Sequence, residues 1–534
     1  MYALIELTAK GVMKYLRLIT FMLLGSTGLL HAQYSELDIA KFNSLYKIIL
    51  ENYADTVNST KLIDGAIVKM LESLDPHSTY ITAKDVQKAN EPLVGNFEGI
   101  GVQYDVIKDT MYVVEVIAGG PCSYVGVMAG DKLIKINDTS CIGWARDEFM
   151  KKLRGPRDTK VNLTFIRSGK VIDFVVARGV IPLYSVDATY MLDSITGYIK
   201  LSRFAARTGE EVQKAILNLQ SKGMKNLVFD LQNNQGGYLN SAISISDDFL
   251  DENRLIVYTQ GEHSPRTDFH STGQGMFSKG KLIVLVNESS ASASEIVSGA
   301  MQDWDRALIV GRRSFGKGLV QKPFYLSDGS VVRLTTAHYY TPSGRDIQKP
   351  YNEGKDAYYS ELVKRLKSGQ MMHPDTIKMP DSLMRMTAHG RKVFSGGGIS
   401  PDIFVAIDTS FASEYYSNIV RKGLLSQFAL SYLDKMRKDL IQKYPNIQAF
   451  RSSFVVNESL ILEFTNFCEK NGLPLDKKGF KAGKHVIEVQ IKALLARNLY
   501  SSAAYFEIAN ELDPAINKAR ELIYTNFSKY GVQN

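Results

Sequence analysis

The chain of 534 residues is long enough for about three or four domains. Its content of 45% apolar and 22% charged residues is typical of a globular protein and argues against a disordered one. The net charge of +8 is spread along the sequence, without a Lys/Arg block interleaved with aromatic residues, which disfavours nucleic-acid binding.

The N-terminal residues 1–32 have the pattern of a secretory signal peptide. Lys14 and Arg17 precede an apolar run at residues 18–30, and the small residue Ala32 follows. The run is short for a membrane span. We therefore expect export to the periplasm or cell envelope. If the segment is not cleaved, it would associate the protein with the membrane.

The sequence contains three cysteines, Cys122, Cys141 and Cys468. An exported chain could bridge Cys122 to Cys141, although an odd number leaves at least one free thiol. No CxxC or histidine-rich spacing indicates a metal site, and we expect no metal or other cofactor. We interpret the cysteines as buried packing residues.

Residues 33–94 predict an N-terminal helical region because apolar side chains recur at helical spacing. The recurring positions are Ile39, Phe42, Leu45, Ile48, Ile49, Leu62, Ile63, Ile67, Met70 and Leu71. Pro76, in the turn at residues 74–78, ends the second helix because proline disfavours helix in the residue before it. We interpret this region as a cap or dimerisation arm with no evident chemistry.

Residues 95–180 predict a β-rich domain of short strands separated by turn residues. The predicted strands are residues 111–117, 132–136, 161–167 and 171–176, and the predicted helix is residues 144–153. Together with residues 129–137 and 154–156, the turn Gly99-Ile100-Gly101-Val102 resembles a PDZ domain. In that family the turn exposes N–H groups that hold the C-terminal carboxylate of a peptide, which adds as a strand. The alternative is a β-domain without a ligand.

Residues 181–408 alternate strands with helices, which predicts an α/β core whose strands are buried on both faces. The predicted strands are residues 197–201, 226–231, 255–258, 281–286, 307–311, 319–325 and 330–338, and the predicted helices are residues 208–222, 239–250 and a helix from about Ser294. We interpret residues 260–278 as a polar surface loop and residues 350–395 as an insert. Residues 409–534 predict a C-terminal helical domain.

The candidate chemistry lies in residues 281–321. Four serines, Ser289, Ser290, Ser292 and Ser294, follow a buried strand at a turn into a helix, and Lys317 lies between two glycines. A serine hydroxyl needs a positioned base, and none of the histidines, such as His263, His270 and His338, has a triad context.

Lys317 can act as that base if burial away from carboxylates lowers its pKa. Its apolar and glycine neighbours suit this role, and a surface lysine in a flexible turn is the alternative. Residues 311–317 also read GxxxxGK, but Gly318 stands where a phosphate-binding loop needs Ser or Thr. A strand, rather than a helix, is predicted to follow, so we reject nucleotide binding.

Ser292 is only somewhat favoured over the other three serines by its spacing. In the turn before the helix, the Ala293 N–H would point into the site, and the positive end of the helix would favour an oxyanion. A second N–H would come from the glycine turn Gly236-Gly237, which follows the predicted strand at residues 226–231.

Four segments in this order resemble the carboxyl-terminal processing protease family. In chain order they are residues 230–237, residues 290–296, residues 315–318 with Gln321, and residues 398–403. The resemblance covers residues 34–405 and implies a crotonase-like α/β protease core with an inserted PDZ domain. One residue departs from the family pattern: Gln235 stands where the family usually has Gly or Pro.

The resemblance also implies the roles of the site residues. Ser292 is implied as the nucleophile, Lys317 as the general base, and Gln321 as a hydrogen-bond partner that orients the lysine amine. The implied oxyanion donors are the backbone amides of Gly237 and Ala293.

The function that the resemblance implies is that of an exported serine endopeptidase without a cofactor. Its PDZ domain would capture the apolar C-termini of proteins or peptides, and a Ser292–Lys317 dyad would hydrolyse the peptide bond. The alternative is a catalytically inactive PDZ scaffold that binds C-terminal tails. The helical N- and C-terminal regions are candidates for a homodimer contact, and no nucleic-acid partner is expected.

Overall fold

The computed structural model describes residues 36–374 and 379–532. The predicted signal peptide, residues 1–32, lies outside the described residues. The described chain divides into two compact units, one that ends at Met70 and one that begins at Leu71. The first unit contains helix α1, Glu36–Asn52, and most of helix α2, Ser59–Glu72. Among the helices of the described residues, none is long and apolar enough to cross a membrane.

The sequence predicts a helical region as far as residue 94, but the chain after helix α2 is not helical throughout. A short strand, β1 Thr79–Ile81, and a helix, α3 Val86–Val94, follow the turn around Pro76. The Asp75 carboxylate accepts hydrogen bonds from the N–H groups of His77 and Ser78 and from the Ser78 hydroxyl. These bonds fix a local turn in place of a helical one and direct the chain into the extended segment.

Residues 96–182 form the β-rich domain that the sequence predicts. Its strands are β2 Asn96–Gly99, β3 Val102–Ile107, β4 Thr110–Val116, β5 Lys132–Ile136, β6 Thr139–Ser140, β7 Lys160–Arg167, β8 Lys170–Ala177 and β9 Gly179–Pro182. Its helices are α4 Pro121–Val125 and α5 Arg146–Leu153. The main sheet has the order β3-β4-β5-β7-β8, with β6 on β5, and β2 pairs with β9. Strand β3, which the sequence pattern did not predict, therefore forms one edge of the sheet.

The α/β core contains the remaining strands. They are β10 Val186–Met191, β11 Thr196–Leu201, β12 Asn226–Asp230, β13 Leu255–Gly261, β14 Ser264–His270, β15 Leu282–Val286, β16 Leu308–Gly311, β17 Leu319–Tyr325, β18 Val331–Tyr340, β19 Met384–Met386, β20 Lys392–Phe394 and β21 Ile403–Phe404. The helices of this region are α6 Thr208–Ser221, α7 Leu239–Phe249, α8 Ala293–Asp303 and α9 Lys355–Lys367.

The core strands form two main sheets. One has the order β10-β11-β12-β15-β16-β21 and is parallel except for β10. The other is antiparallel, with the order β1-β18-β13-β14 and β17 paired to β18. Because β1 precedes the β-rich domain and pairs with β18, that domain is inserted within the core, not placed ahead of it.

The C-terminal region is helical from Glu414, as predicted. Its helices are α10 Glu414–Arg421, α11 Leu424–Lys443, α12 Ile447–Ser453, α13 Glu458–Lys470, α14 Lys477–Leu499, α15 Ser502–Ala509 and α16 Pro514–Leu522. Several begin at a polar side chain that accepts a backbone N–H of the first turn, including Ser413, Asn457 and Asp476. These caps explain the positions at which the helices start.

Both faces of the six-stranded sheet are covered by apolar side chains. On one face Ile216, Ile245 and Val297 of helices α6, α7 and α8 join the core. On the other face Ile516 of helix α16 belongs to the same apolar cluster as Val228 of strand β12. The last α-helix of the C-terminal region thus joins an apolar cluster of the α/β core, and the domain boundaries stay a prediction.

Two predicted irregular regions contain regular structure. Residues 260–278 include strand β14, which pairs with β13 as a hairpin and is not a surface loop. The insert at residues 350–395 contains helix α9, whose buried Arg365 donates hydrogen bonds to the carbonyls of Ser314 and Phe315. The insert thus packs against the loop that carries Lys317. The three cysteines are buried and free, without the disulfide that export would allow.

Candidate active site

The predicted catalytic residues surround one cleft of about 960 Å³. The lining residues include Ser292, Ala293, Lys317, Gln321 and Gly237. The fold therefore brings together a helix start, a loop and the glycine turn, which are separate signals in the sequence.

The structure separates the four candidate serines. All four lie in the described chain, and only Ser292 lines the cleft. The hydroxyls of Ser290 and Ser294 are buried and donate to the carbonyls of Leu231 and Asn234, both at 2.8 Å. These two serines thus fasten the turn, and Ser292 is the one presented to the cleft.

The backbone of Ser292 has φ 57° and ψ −114°, an unusual conformation for a residue other than glycine. Such conformations cost about 1–3 kcal/mol and persist only where the surroundings hold them. The Ser292 N–H donates to the Glu295 carboxylate at 2.8 Å, and the Ser292 carbonyl accepts from the N–H groups of Glu295 and Ile296. Helix α8 therefore begins here and directs its positive end towards the cleft.

Lys317 follows Gly316, which has a φ of 89°. Burial lowers the pKa of the Lys317 amine, and the Arg333 charge lowers it further, whereas Glu295 and Asp75 oppose the shift. The expectation of a site away from carboxylates is therefore wrong. Glu295 lies 22 positions before Lys317 in the sequence, but in the fold its carboxylate accepts the Lys317 backbone N–H at 2.9 Å. The pKa is nevertheless lowered, because burial is the largest contribution.

Glu295 and Tyr339 hold the Ser292 turn against the Lys317 loop. The fully buried Glu295 carboxylate accepts four donors, the N–H groups of Ser292, Gly316 and Lys317 and the Ser314 hydroxyl. Burial raises the pKa of this carboxyl, and its hydrogen bonds counteract that rise. The Tyr339 hydroxyl donates to the carbonyls of Ser292 and Lys317. The two segments are thus joined through both their N–H and their carbonyl groups.

The candidate dyad itself is not joined by a hydrogen bond. The side chains of Glu295 and Tyr339 link the backbone of Ser292 to the backbone of Lys317. Within the described residues, no hydrogen bond connects the Ser292 hydroxyl to the Lys317 amine. The backbone is therefore arranged around the two side chains without bringing their reactive atoms into contact.

The glycine turn packs directly on the Ser292 turn. A Cβ on Gly236 would lie 2.8 Å from the Ser292 Cβ and 2.9 Å from the Ala293 nitrogen. The Gly236 N–H donates to the Asn234 side chain. Of the two glycines in this turn, Gly237 is the one whose N–H is predicted to be an oxyanion donor. Asn234 also accepts the Ala291 N–H at its carbonyl. Asn234, which the sequence pattern did not single out, thus fixes the turn that contains the unusual Gln235.

Gln321 lines the cleft, but among the described residues no hydrogen bond joins its side chain to the Lys317 amine. Its side-chain amide donates to the Thr335 hydroxyl on the neighbouring strand at 3.3 Å. The Thr335 N–H in turn donates to the Ser78 hydroxyl. The orienting role of Gln321 stays a prediction, and its observed partner links it to the turn around Pro76.

His77, in that turn, lies close enough to Lys317 to be affected by its charge. Burial lowers the His77 pKa to about 3, and the positive charge of Lys317 adds to the effect. Such an imidazole is a weak base, which disfavours a serine–histidine pair. The turn at residues 74–78 was predicted to have no chemistry, and only tertiary contacts place it here.

The β-rich domain contains a second cavity, a groove of about 510 Å³. It is lined by the predicted carboxylate-binding turn, Gly99, Ile100, Gly101 and Val102, together with strand β3 and helix α5. The carbonyls of Ile100 and Gly101 accept from the N–H groups of Cys122 and Ile117, which fixes the turn. The arrangement offers an open strand edge beside a helix, as strand addition requires.

Comparisons with known proteins agree with these features. A peptidase family S41 model matches residues 195–354, and a PDZ domain model matches residues 90–166. The N-terminal domain model of the activating protease CtpB matches residues 26–85, and a family of unknown function matches residues 415–501. The chain is 37% identical over 316 residues to the carboxy-terminal-processing protease of Bartonella bacilliformis, covering 58% of this chain and 72% of that protein.

The chain belongs to the carboxy-terminal-processing protease family. It is also 34% identical over 314 residues to a probable CtpA-like serine protease of Staphylococcus aureus, covering 58% of this chain and 62% of that protein. A solved structure of a photosystem II D1 C-terminal processing protease aligns at 24% identity and a TM-score of 0.35, covering 68% of this chain and 92% of that one.

The predicted family and fold class are confirmed. This member of the family has an α/β protease core, an inserted PDZ domain and helical N- and C-terminal regions. Its PDZ domain indicates protein or peptide partners. The family of unknown function falls on the helical region, which carries a core of its own that includes Phe428 and Phe464.

Proposed function

We propose that this protein is a serine endopeptidase that captures protein C-termini in its PDZ groove and cleaves with Ser292 and Lys317. The observation that carries the proposal is that Ser292, alone among the four described candidate serines, lines the cleft that Lys317 also lines. The lowered pKa of Lys317 supports its role, because a general base must be neutral to accept a proton.

The proposed reaction begins when neutral Lys317 removes the proton of the Ser292 hydroxyl. The hydroxyl oxygen attacks the carbonyl carbon of the peptide, and the N–H groups of Gly237 and Ala293 stabilise the negative oxygen. The protonated lysine gives its proton to the leaving amine, which yields an acyl-enzyme. Water, deprotonated by Lys317, then releases the acid and restores Ser292.

This reaction requires the Lys317 amine to reach the Ser292 hydroxyl. Since no hydrogen bond joins them among the described residues, we propose that substrate in the cleft brings the two side chains together. The backbone bonds to Glu295 and Tyr339 would keep the segments in place while the side chains adjust.

The dyad is tested by casein cleavage with single variants. We expect Ser292→Ala and Lys317→Ala each to lower the rate by about 10⁴-fold or more. Ser289→Ala, in the same turn, and Lys322→Ala, an exposed lysine of the cleft, are the matched controls and should stay near the wild-type rate. Near-normal cleavage by Ser292→Ala or Lys317→Ala would refute the assignment.

Capture of C-termini is tested with one substrate in three forms: intact, with a C-terminal amide, and without its apolar C-terminal residues. The intact form should be cleaved fastest, because the groove would bind both the carboxylate and the apolar side chain. Equal cleavage of all three would remove C-terminal capture. If the intact form binds but no form is cleaved, the protein is the catalytically inactive PDZ scaffold.

Export and dimerisation are proposed alongside this activity. Export rests on the sequence of residues 1–32 and is tested by cell fractionation with a mass measurement of the N-terminus.

A homodimer is supported by helix α1, whose apolar side chains Leu37, Phe42 and Leu45 are exposed. Sedimentation of wild type and Leu45→Glu should show a dimer that the substitution dissociates. A wild-type monomer would refute it.

A further inference from the structure

One of the side chains that line the PDZ groove comes from the C-terminal helical region, outside the PDZ domain. Its walls are the open edge of strand β3 and helix α5, and Arg497 of helix α14 also lines it. Helix α14 belongs to the C-terminal helical domain. A side chain of that domain is therefore part of the surface that a captured peptide would meet.

The C-terminal domain is attached to the PDZ domain beside this groove. Lys132 of strand β5 forms an ion pair with Asp434 of helix α11 at 2.7 Å. The Ser502 hydroxyl donates to the Glu115 carboxylate of strand β4. These contacts hold the start of helix α15 and the preceding end of helix α14 near the PDZ sheet, which gives Arg497 a defined position.

The charge of Arg497 is incompletely satisfied by the protein. Two of its nitrogens, Nε and Nη2, are shielded from solvent without a hydrogen-bond acceptor among the described residues. Its ion pair with Asp105 is long, with 3.8 Å between Nη2 and Oδ2. Buried donors without acceptors are unfavourable, and guanidinium groups bind carboxylates in pairs of hydrogen bonds. A carboxylate that the peptide supplies in place of Asp105 would give the guanidinium the close partner that it lacks.

The register along strand β3 indicates which peptide residue this is. A peptide whose carboxylate lies at the turn before Val102 runs antiparallel to β3. Asp105 lies three residues further along, at about 10 Å for a rise of about 3.3 Å per residue. Val102 and Tyr104 pack on the domain core, so Asp105 is on the opposite face of the strand. By the same alternation, the residue three before the peptide C-terminus faces Asp105 and Arg497.

We propose that Arg497 makes the PDZ groove selective for C-termini with an acidic side chain three residues before the last residue. The inference rests on the proposed capture of C-termini and extends it to a substrate class. Asp105 competes for Arg497 in the empty groove and is displaced by the acidic side chain. The C-terminal helical domain thus takes part in substrate selection.

The test measures peptide binding by fluorescence anisotropy with the full chain carrying Ser292→Ala, with peptide integrity checked by mass spectrometry. Short labelled peptides with apolar C-termini carry Glu, Gln or Lys three residues before the end, or Glu one or two residues before it. We expect the Glu peptide at the proposed position to bind about 3- to 10-fold more tightly than the Gln peptide, and the Lys peptide to bind weakest.

Three further substitutions locate the effect. Arg497→Ala should abolish the preference for Glu over Gln, whereas Arg421→Ala, an exposed arginine of the same domain, should keep it. Asp105→Asn should tighten binding of the Glu peptide, and this second variant tests the idea even if Arg497→Ala folds poorly. Circular dichroism checks the fold of each variant.

The two proposals fail in different ways. Equal binding of Glu and Gln peptides to the parent chain, or a Glu preference that survives Arg497→Ala, would refute the role of Arg497 while leaving C-terminal capture intact. A preference stronger at another position would refute the register. If a C-terminal amide binds as well as a free carboxylate, capture of C-termini fails, and the inference about Arg497 fails with it.

Discussion

The candidate active-site cleft and the PDZ groove differ in how their buried charged groups are satisfied. Beside the cleft, the buried Glu295 carboxylate accepts hydrogen bonds from four donors of the protein itself, two of which belong to Ser292 and Lys317. In the groove, the shielded nitrogens of Arg497 have no acceptor among the described residues, and their nearest carboxylate partner, on Asp105, is 3.8 Å away. One site is completed by its own chain, whereas the other is suited to completion by a ligand.

This difference fits the tasks that the two sites would perform. A catalytic backbone must hold its groups in place before the transition state forms, because reorganisation during the reaction adds to the barrier. A recognition groove gains selectivity when a correct ligand supplies the missing partner and an incorrect one leaves it unpaired. Substitutions around the cleft test whether it is as preorganised as its hydrogen bonds indicate.

The largest effect is expected from Gly236→Ala. The added Cβ would lie 2.7 Å from the Ala291 carbonyl oxygen and 2.8 Å from the Ser292 Cβ, so the turn that contains Ser292 must shift. A displacement of about 1 Å in an active site lowers the rate by about 100-fold. We expect a loss of at least about that size in casein cleavage.

The matched control for this variant is Gly143→Ala in the PDZ domain. Gly143 also has a positive φ, of 84°, but among the described residues beyond its two chain neighbours no atom lies within 4 Å of the point that an added Cβ would occupy. It should retain activity. Equal losses in the two variants would mean that backbone strain, and not the collision at Ser292, causes the effect.

The next effect is expected from Glu295→Gln. A glutamine offers one acceptor oxygen and turns a donor towards the backbone N–H groups that the carboxylate now accepts from Ser292 and Lys317. We expect kcat to fall by about 10- to 100-fold while KM changes little, because the bonds position the reacting groups and not the peptide. Glu288→Gln, which weakens an ion pair with Arg312, is the control and should have a smaller effect on kcat. A change confined to KM would contradict the positioning role.

The sequence predicted elements that depend on local pattern and missed those that depend on distant partners. The apolar strand Leu282–Val286 and helix Ala293–Asp303 follow from local patterns, a short apolar run and then a turn of small residues before a helix predicted from about Ser294. Strand Ser264–His270 was missed because it is polar and exposed. It is held by its hairpin partner and by Arg266, whose guanidinium lies 3.8 Å from the Tyr258 ring centroid.

The candidate site shows the same limit. Sequence spacing could not choose among the four serines, since the buried bonds of Ser290 and Ser294 involve residues about 60 positions away. The contact between Glu295 and the Lys317 N–H also joins distant segments, so the sequence placed Lys317 away from carboxylates. The family resemblance identified Ser292 and Lys317 as site residues. It identified neither Glu295, which joins their two segments, nor Arg497.

A smaller effect is expected from Tyr339→Phe. The phenyl ring keeps the packing but removes the hydroxyl that donates to the carbonyls of Ser292 and Lys317. A neutral hydrogen bond contributes about 1 kcal/mol, which corresponds to a loss in kcat of about 3- to 10-fold. The neighbouring Tyr340→Phe, which retains the stacking of that ring on Tyr258, is the control. Equal rates for both variants would show that Glu295 alone suffices to join the two segments.

The smallest effect is expected in the stability of Lys317→Met, a variant that should be inactive. Burial lowers the pKa of Lys317 below its ordinary value of 10.5, so at neutral pH the unfolded chain binds a proton at this site more readily than the folded chain. Stability due to this group therefore rises with pH between the lowered pKa and 10.5. Removing the charge should raise the unfolding temperature at pH 7 by about 1–3 °C, and the advantage should fade as the pH approaches 10.5. Lys322→Met, at an exposed position, is the control and should show neither trend. If Lys317→Met is less stable than wild type at every pH, burial of the Lys317 amine does not destabilise the folded protein.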